Sequence, residues 1–284
     1  MKFIRYEKTE DFGADTLELL LENEVQNNLP ISFILNEQEH DTSSWLLATV
    51  KDENDGVVLT AACTPPFNIV LYETGNRPDD AAVKLLSDEL KSMGYSLPGV
   101  LAEQGLSRRF AEAYAGSGAF SRHISMNIMR LDKVNETPKA PGFCRPLREA
   151  DLFFVPYWEL AFNVDCHLNE GSLQDKTNQV KARIGRDIQY LWEDGYPVSQ
   201  AHQGKKTPGG AGISGVYTPP QYRGRGYASS VVAELSQILL ARGNTFCFLF
   251  ADAENPISCG IYRKIGFYDL CVFDDLRFNK GETK

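Results

Sequence analysis

The sequence predicts an α/β fold made of two mixed-sheet domains in tandem, the N-terminal one degenerate. Three observations carry this expectation. The chain has 284 residues, 43% hydrophobic and 24% charged, which is apolar material enough for two ordinary cores. Its second half alternates strand-length apolar runs with helix-period runs in the order β-α-α-β-β-β-α-β-α-β. Its first half repeats part of that plan.

In the second half, 143–147 reads as a strand, and 153–162 and 173–184 read as helices. Residues 188–192 and 197–202 flank Glu193-Asp194-Gly195, a hairpin signal, and a strand follows at 211–217. From 228 to 242 the apolar residues Val231, Val232, Leu235, Ile238 and Leu239 share one helical face, and Gly243 supplies a C-terminal stop. Residues 246–251 are uniformly apolar, as in a strand covered on both faces. A helix is expected at 256–265, with Pro256 in its first turn after Asn255 and Gly266 at its end. Closing strands are expected at 270–273 and 276–278.

In the first half, strands are expected at 45–50, 57–62 and 67–72, then a helix at 81–93 with core positions Val83, Leu85, Leu86 and Leu90, closed by Gly94. Superposing Gly94 on Gly243 brings Glu103 onto Asp252 and the helix around Phe110 onto the one around Ile261. An internal duplication explains this match; two unrelated α/β domains with a chance likeness is the alternative. Glu136-Thr137-Pro138-Lys139-Ala140-Pro141-Gly142 reads as a linker, so the expected domains are 1–138 and 139–284.

Composition excludes several function classes. Net charge is −9, unevenly spread: residues 1–138 carry 12 Lys+Arg against 22 Asp+Glu, net −10, and residues 139–284 carry 17 against 16, net +1. A polyanionic ligand therefore prefers the second half, while nucleic acid, which needs a broad basic surface, is not an expected partner. The six cysteines (Cys63, Cys144, Cys166, Cys247, Cys259, Cys271) and four histidines (His40, His123, His167, His202) are scattered without metal-ligand spacing, so no metal is expected. No apolar run suits a signal peptide or a bilayer span, so no membrane partner and a cytoplasmic location are expected. Oligomeric state leaves no signature.

The chemistry is expected in Val216-Tyr217-Thr218-Pro219-Pro220-Gln221-Tyr222-Arg223-Gly224-Arg225-Gly226-Tyr227-Ala228. This arm joins a strand to a helix N-terminus through a stiff Pro-Pro and two glycines. Such a loop aims unpaired N–H groups and the positive end of a helix dipole at one point, which makes an anion cradle. Gly224 and Gly226 let the main chain approach a phosphate, and Arg223 and Arg225 are candidates to bring charge to it. A dinucleotide site is the nearest competitor, with Asp252 as the ribose acid. It fits poorly, because its third glycine position holds Ser229 and a long proline arm precedes the turn.

Gln221-x-x-Gly224-x-Gly226 resembles the Q/R-x-x-G-x-G/A signature of the GNAT acyltransferase superfamily, and Asn255-Pro256-x-Ser258-x-x-x-Tyr262-x-x-x-Gly266-Phe267 resembles its following helix motif. The resemblance covers residues 143–278, and the tandem layout is similar to the glycine N-acyltransferase-like branch. It implies two GNAT-like domains with acetyl-CoA, or another acyl-CoA, as co-substrate. Backbone amides from Gln221 through Tyr222, Arg223, Gly224, Arg225, Gly226, Tyr227 and Ala228 would hold the pyrophosphate. Val216, Tyr217 and Thr218 would pair with the pantetheine and steady the thioester carbonyl. Asn255 and Ser258 would contact the pantetheine or phosphate, and Tyr262 would protonate the departing thiolate. Asn255 as a helix cap, Ser258 as a surface hydroxyl and Tyr262 as a core aromatic are the plainer readings.

The implied reaction is direct transfer to a primary amine of a small molecule, with acetyl the commonest acyl group in the superfamily. An acyl-CoA-binding sensor or scaffold without turnover is the alternative, because the strand before the arm, Ala211-Gly212-Ile213-Ser214-Gly215, lacks the glutamate that many members use as a general base. Asp252, Glu254, Glu193 and His202 are candidates for that base, and none stands out. Cys247 and Cys259 lie near the site in sequence, but neither has a paired histidine. The corresponding N-terminal segment, Tyr72-Glu73-Thr74-Gly75-Asn76-Arg77-Pro78-Asp79-Asp80, lacks the Gly-x-Gly pair and puts carboxylates at a helix start. At matched positions Leu106 replaces Asn255 and Ala113 replaces Tyr262. The first domain is therefore expected to be catalytically dead, covering the second sheet or shaping the acceptor pocket.

Overall fold

In the computed structural model, residues 1–36, 41–75, 78–168 and 171–279 are described; His40, Asn76 and Arg77 lie outside them. The chain forms two compact units, Met1–Ile128 with Cys271–Lys284, and Met129–Leu270. The division between these units falls at residues 128/129, and the C-terminal segment goes with the first unit.

The first unit runs β1 (Lys2–Tyr6), α1 (Thr9–Glu22), α2 (Asn28–Leu35), β2 (Leu46–Lys51), β3 (Val57–Cys63), β4 (Ile69–Glu73), α3 (Asp80–Ser92), β5 (Gly99–Glu103), α4 (Gln104–Ala115) and β6 (Phe120–Leu131), the last crossing into the second unit. Strands β1 to β4 pair antiparallel in sequence order, and β5 joins β4 in parallel. Its core is formed by Leu46, Leu59, Ile69, Leu86, Leu90 and Phe110 among others, each at 1% exposure or less.

The second unit runs β7 (Phe143–Pro146), α5 (Val155–Asp165), α6 (Leu173–Arg183), β8 (Gln189–Glu193), β9 (Pro197–Lys206), β10 (Gly210–Tyr217), α7 (Tyr227–Ala241), β11 (Phe246–Asp252), α8 (Pro256–Ile265) and β12 (Tyr268–Phe278). The order of elements β-α-α-β-β-β-α-β-α-β thus runs twice along the chain. Strands β7 to β10 pair antiparallel and β11 joins β10 in parallel. From Cys271 onward β12 is a first-unit strand, antiparallel to β5 with Phe273 opposite Glu103 and Arg277 opposite Gly99.

Helix α7 exists because Val231, Val232, Leu235 and Leu239 recur on one face, where all four are fully buried against Trp192 of β8, Ala211 of β10 and Leu249 of β11. Each such side chain contributes about 1.5–3 kcal/mol of burial. Gly243, at φ +93°, ends the segment in the left-handed region. A smaller cluster of Leu147, Val155, Val180 and Leu191, with Trp158 against it, holds α5 and α6.

Several expectations change. The two closing strands are one, because Asp274 and Asp275 do not break it: Asn68 donates to Asp275 at 2.7 Å, Arg277 pairs with Asp275, and Gln104 donates to Asp274 at 3.3 Å. The proline-rich stretch at 136–142 is not a free linker. Trp192 Nε1 donates to Pro141 O at 2.8 Å, Ala140 N donates to Ser230 Oγ at 2.9 Å, and Lys139 pairs with Glu234 at 2.7 Å. Elements β1, α1, α2 and β6 were not anticipated. The helix expected at 153–162 is a short 3-10 turn at Glu149–Phe153 followed by α5.

Candidate functional site

The site grows from the way β10 and β11 part. Their parallel ladder holds at Gly210/Phe246, Ala211/Cys247 and Gly212/Phe248 and then stops. Beyond it, β10 has a register shift against β9 between Ser214 and Tyr217, with Gly215 at φ +61°. The backbone from Ile213 to Val216 therefore has no ladder partner on the β11 side, which leaves main-chain donors free at the strand end.

The arm after β10 turns twice at residues in the left-handed region, Gly224 at φ +76° and Gly226 at φ +82°. Gly226 is the N-cap of α7 and provides no side-chain cap. Within the arm Tyr222 N and Arg223 N bond to Pro219 O and Pro220 O, at 2.9 and 3.3 Å. From Gly224 through Ser229, by contrast, no backbone N–H donates to an acceptor among the described residues. Orphan donors at a helix start add to the dipole's positive end, so this end of α7 has the donors and partial positive charge that suit an anion.

Of the other expected residues, Tyr222 is half-buried and stacks obliquely on Tyr196 with ring centroids 5.5 Å apart, while Gln221 and Arg225 are exposed. Arg223 does not stand free for a phosphate. Its Nε donates to Thr218 O at 2.9 Å and its Nη2 reaches Asp165 of α5 at 2.6 Å, so it staples the arm to that helix. The Tyr227 hydroxyl donates to Asp194 at 2.6 Å. Val216 and Tyr217 lie at the strand end. Thr218 Oγ1 and Tyr217 O are both bonded to Ser199 Oγ, at 2.8 and 3.2 Å. Ala228 is half-buried in the first turn of α7.

On α8, Asn255 does cap its helix, accepting from Ser258 N at 3.1 Å. Ser258 is half-buried, with no hydrogen bond from its hydroxyl among the described residues. The Tyr262 ring meets Phe267 edge-on at 5.9 Å. Its hydroxyl has no protein hydrogen bond there, and burial, with Cys166 and Cys259 nearby, pushes its pKa above the ordinary tyrosine range. The phenol is held neutral and ready to donate. Cys259 is 2% exposed and its Sγ lies 3.4 Å from Asp252 O. Cys247 is fully buried with its thiol pushed up to about 12 by burial, so it is no nucleophile.

Among the base candidates, Glu193 is ion-paired with Arg145, which also holds the buried Asp151. Asp252 accepts from Glu254 N at 2.9 Å in the turn before α8, and Glu254 is exposed. His202 is 8% exposed. Sequence reasoning missed its neighbour Glu159 of α5, 3% exposed, whose Oε1 accepts from Arg183 at 3.1 Å, Gln200 at 3.1 Å and Gln189 at 3.3 Å. It also missed Asp165. Nothing in sequence spacing announces either partner, because α5 folds back on segments distant in the chain: the arm for Asp165, and α6, β8 and β9 for Glu159.

Among the described residues no His/Cys/Asp/Glu group is placed to hold a metal ion, and no helix is long and apolar enough to cross a membrane.

Comparison with known proteins bears on the fold. Residues 198–274, which include β9 to α8 and the arm, match the family model of FR47-like protein. No curated protein matches the chain. Among solved structures, a GCN5-related N-acetyltransferase from Sphaerobacter thermophilus is similar with a TM-score of 0.69 at 15% identity, over 97% of this chain and 95% of that one. A GNAT-family acetyltransferase from Colwellia psychrerythraea is similar with a TM-score of 0.59 at 13% identity, over 98% and 99%. A tandem GNAT protein from the clavulanic acid biosynthesis pathway has a TM-score of 0.56 at 13% identity, over 97% of both chains. With the element order run twice along the chain, the chain has the mixed α/β fold of the GNAT acetyltransferases.

Proposed function

We propose that this protein is an acyl-CoA-dependent N-acyltransferase that moves an acyl group, most often acetyl, to a primary amine of a small molecule by direct attack. The observation that carries the reading is the row of unpaired N–H groups from Gly224 through Ser229 at the start of α7, beside the point where β10 and β11 separate. A pyrophosphate satisfies those donors, and an extended pantetheine fits against the open edge of β10 as an added strand does. Main-chain donors near Val216 and Tyr217 then face the thioester oxygen as its charge develops. Tyr262, kept neutral, gives its proton to the departing thiolate.

No metal enters this chemistry, and no covalent enzyme intermediate is needed. The acceptor class and the likeness to glycine N-acyltransferase-like proteins rest on fold analogy. Six free cysteines support a reducing, cytoplasmic setting.

The test is calorimetric titration of acetyl-CoA into the wild type, followed by thiol release with a panel of small amines. Binding with amine-dependent release supports transfer; binding without release for any amine favours a sensor. No binding removes both.

A further inference from the structure

The strand before the arm has no carboxylate, yet the structure brings one to its back. Glu159 reaches from α5 to β8 and β9, and each of its hydrogen bonds falls on Oε1. Its Oε2 has no hydrogen bond among the described residues, although the side chain is 4% exposed. His202 Nε2 stands 4.0 Å from the same Oε1.

The imidazole makes one hydrogen bond, from Nδ1 to Gln203 O at 3.0 Å. A carbonyl only accepts, so Nδ1 carries the proton and Nε2 is left with its lone pair. Nε2 thus has no donor among the described residues and lies 4.0 Å from a carboxylate oxygen that already accepts from Arg183, Gln189 and Gln200. That is costly for a buried ring nitrogen unless an N–H or a proton supplies the missing bond. The pair also abuts the candidate active strand: a Cβ on Gly215 would lie 2.4 Å from Nε2, so glycine at the bulge is what lets the ring sit there. Trp158, the residue before Glu159, has its ring 6.1 Å from that of Tyr217 at the strand end.

We propose that His202 and Glu159 are the proton-accepting pair of the transfer site, with His202 Nε2 taking a proton from the primary ammonium of the acceptor beside the Glu159 carboxylate. This rests on the transferase reading above. An ammonium N–H bond breaks, its electron pair stays on nitrogen, and the proton bonds to Nε2. The free amine attacks the thioester carbon; the C–N bond forms and the C–S bond breaks. Tyr262 protonates the thiolate, and the second amine proton restores the phenol through water. The imidazolium returns to neutral by releasing its proton to solvent.

The groups that face the ring set its behaviour. Glu159 of α5 favours the imidazolium, while burial and the cations Arg183 and Lys176 of α6 oppose it, so the resting ring is neutral, its pKa lowered to about 4. A neutral imidazole is the form able to accept; its low pKa makes the transfer from an ammonium uphill, so the proton passes on to solvent and the amine's attack on the thioester draws the step forward.

The experiment uses the full-length wild type with His202→Gln and Glu159→Gln variants, and has two independent readouts. In ¹⁵N NMR at pH 7, the wild-type His202 ring should be the Nδ1–H tautomer. Its Nε2 resonance should move on titration with ethylammonium, the probe, and the Glu159→Gln variant should abolish that movement. A ring carrying its proton on Nε2, or an Nε2 signal that ethylammonium does not move, overturns the proposal. Calorimetry with acetyl-CoA on the same samples reports separately on the transferase reading, since neither variant touches the arm. With an accepted amine, each variant should lower transfer about 10²-fold or more, leaving acetyl-CoA affinity unchanged. Loss below tenfold overturns the proposal.

Discussion

Asp79 and Gly226 hold the same place in the two units, each the N-cap of the helix that follows the unit's parallel-paired strand, and they have opposite consequences. Asp79 Oδ1 accepts from Ala82 N at 2.9 Å, so α3 caps its own first turn with a carboxylate. Gly226 offers α7 no side chain, and the first-turn donors stay open. Beside Asp79, Glu73 and Asp80 add further negative charge, which Arg109 partly offsets. Two helices with the same place in the fold thus differ in whether an anion has anything left to bind.

Gly226→Asp should convert the second site to the condition of the first. The added Cβ has room, with Ala140 Cβ 3.8 Å away. An N-cap carboxylate gains about 1 kcal/mol, roughly offset by the about 1–2 kcal/mol cost of a side chain at positive φ. Thermal stability should therefore shift by no more than a few degrees, while acetyl-CoA binding measured by calorimetry is lost. Retained affinity would place the pyrophosphate elsewhere.

Tyr262→Phe removes a hydroxyl that has no protein partner, so stability should change by less than about 1 kcal/mol. If the phenol donates to the thiolate, steady-state turnover should fall about 10²-fold at unchanged acetyl-CoA affinity. Its raised pKa also fixes a sign. The neutral, donating form persists through the ordinary tyrosine range, so wild-type turnover should show no fall near pH 10 from loss of this acid. A variant as fast as wild type would make Tyr262 a packing residue.

Much of this was legible locally. The arm could be read because Gly224 and Gly226 are needed at positive φ, and α7 because its apolar period sits between two glycines. What escaped was set by distant partners. Asp274 and Asp275 look like a turn in isolation and lie in a strand because Asn68, Gln104 and Arg277 bond to them. The stretch around Pro141 has linker composition, and it is Trp192 and Ser230 that pin it down. Arg223 reads as an anion ligand until Asp165, far off in the chain, is found holding it. Glu159 carried no signal, since its partners come from α6, β8 and β9.

That reassignment of Arg223 separates two substitutions that look alike in sequence. Arg223 is tied to Asp165 in a half-exposed pair worth about 0–1 kcal/mol, so Arg223→Ala should cost little stability and change acetyl-CoA affinity by less than about threefold. Arg225 is exposed beside the open donors, and Arg225→Ala should weaken binding about tenfold, 1.4 kcal/mol. Parallel titrations of both variants check the order; a larger effect at Arg223 would mean that its bond to Asp165 opens when ligand binds.

His202 gives stability a definite dependence on pH. Burial, with Arg183 and Lys176 nearby, lowers its folded pKa to about 4, against an ordinary imidazole value of 6.5. Between these values the unfolded chain binds a proton that the folded chain refuses, so stability rises with pH across the window. The contribution is complete above about pH 6.5 and is lost as pH falls through 4, a change of up to about 3 kcal/mol. Urea unfolding of the wild type between pH 4 and 7 should show this slope, and His202→Gln, which has no titrating proton, should flatten it. An unchanged slope in the variant would assign the dependence to other groups and give His202 an ordinary pKa. Glu159→Gln should extend the rise to lower pH, because the carboxylate, with the Gln203 carbonyl, favours the charged ring, and its loss lowers the folded pKa further.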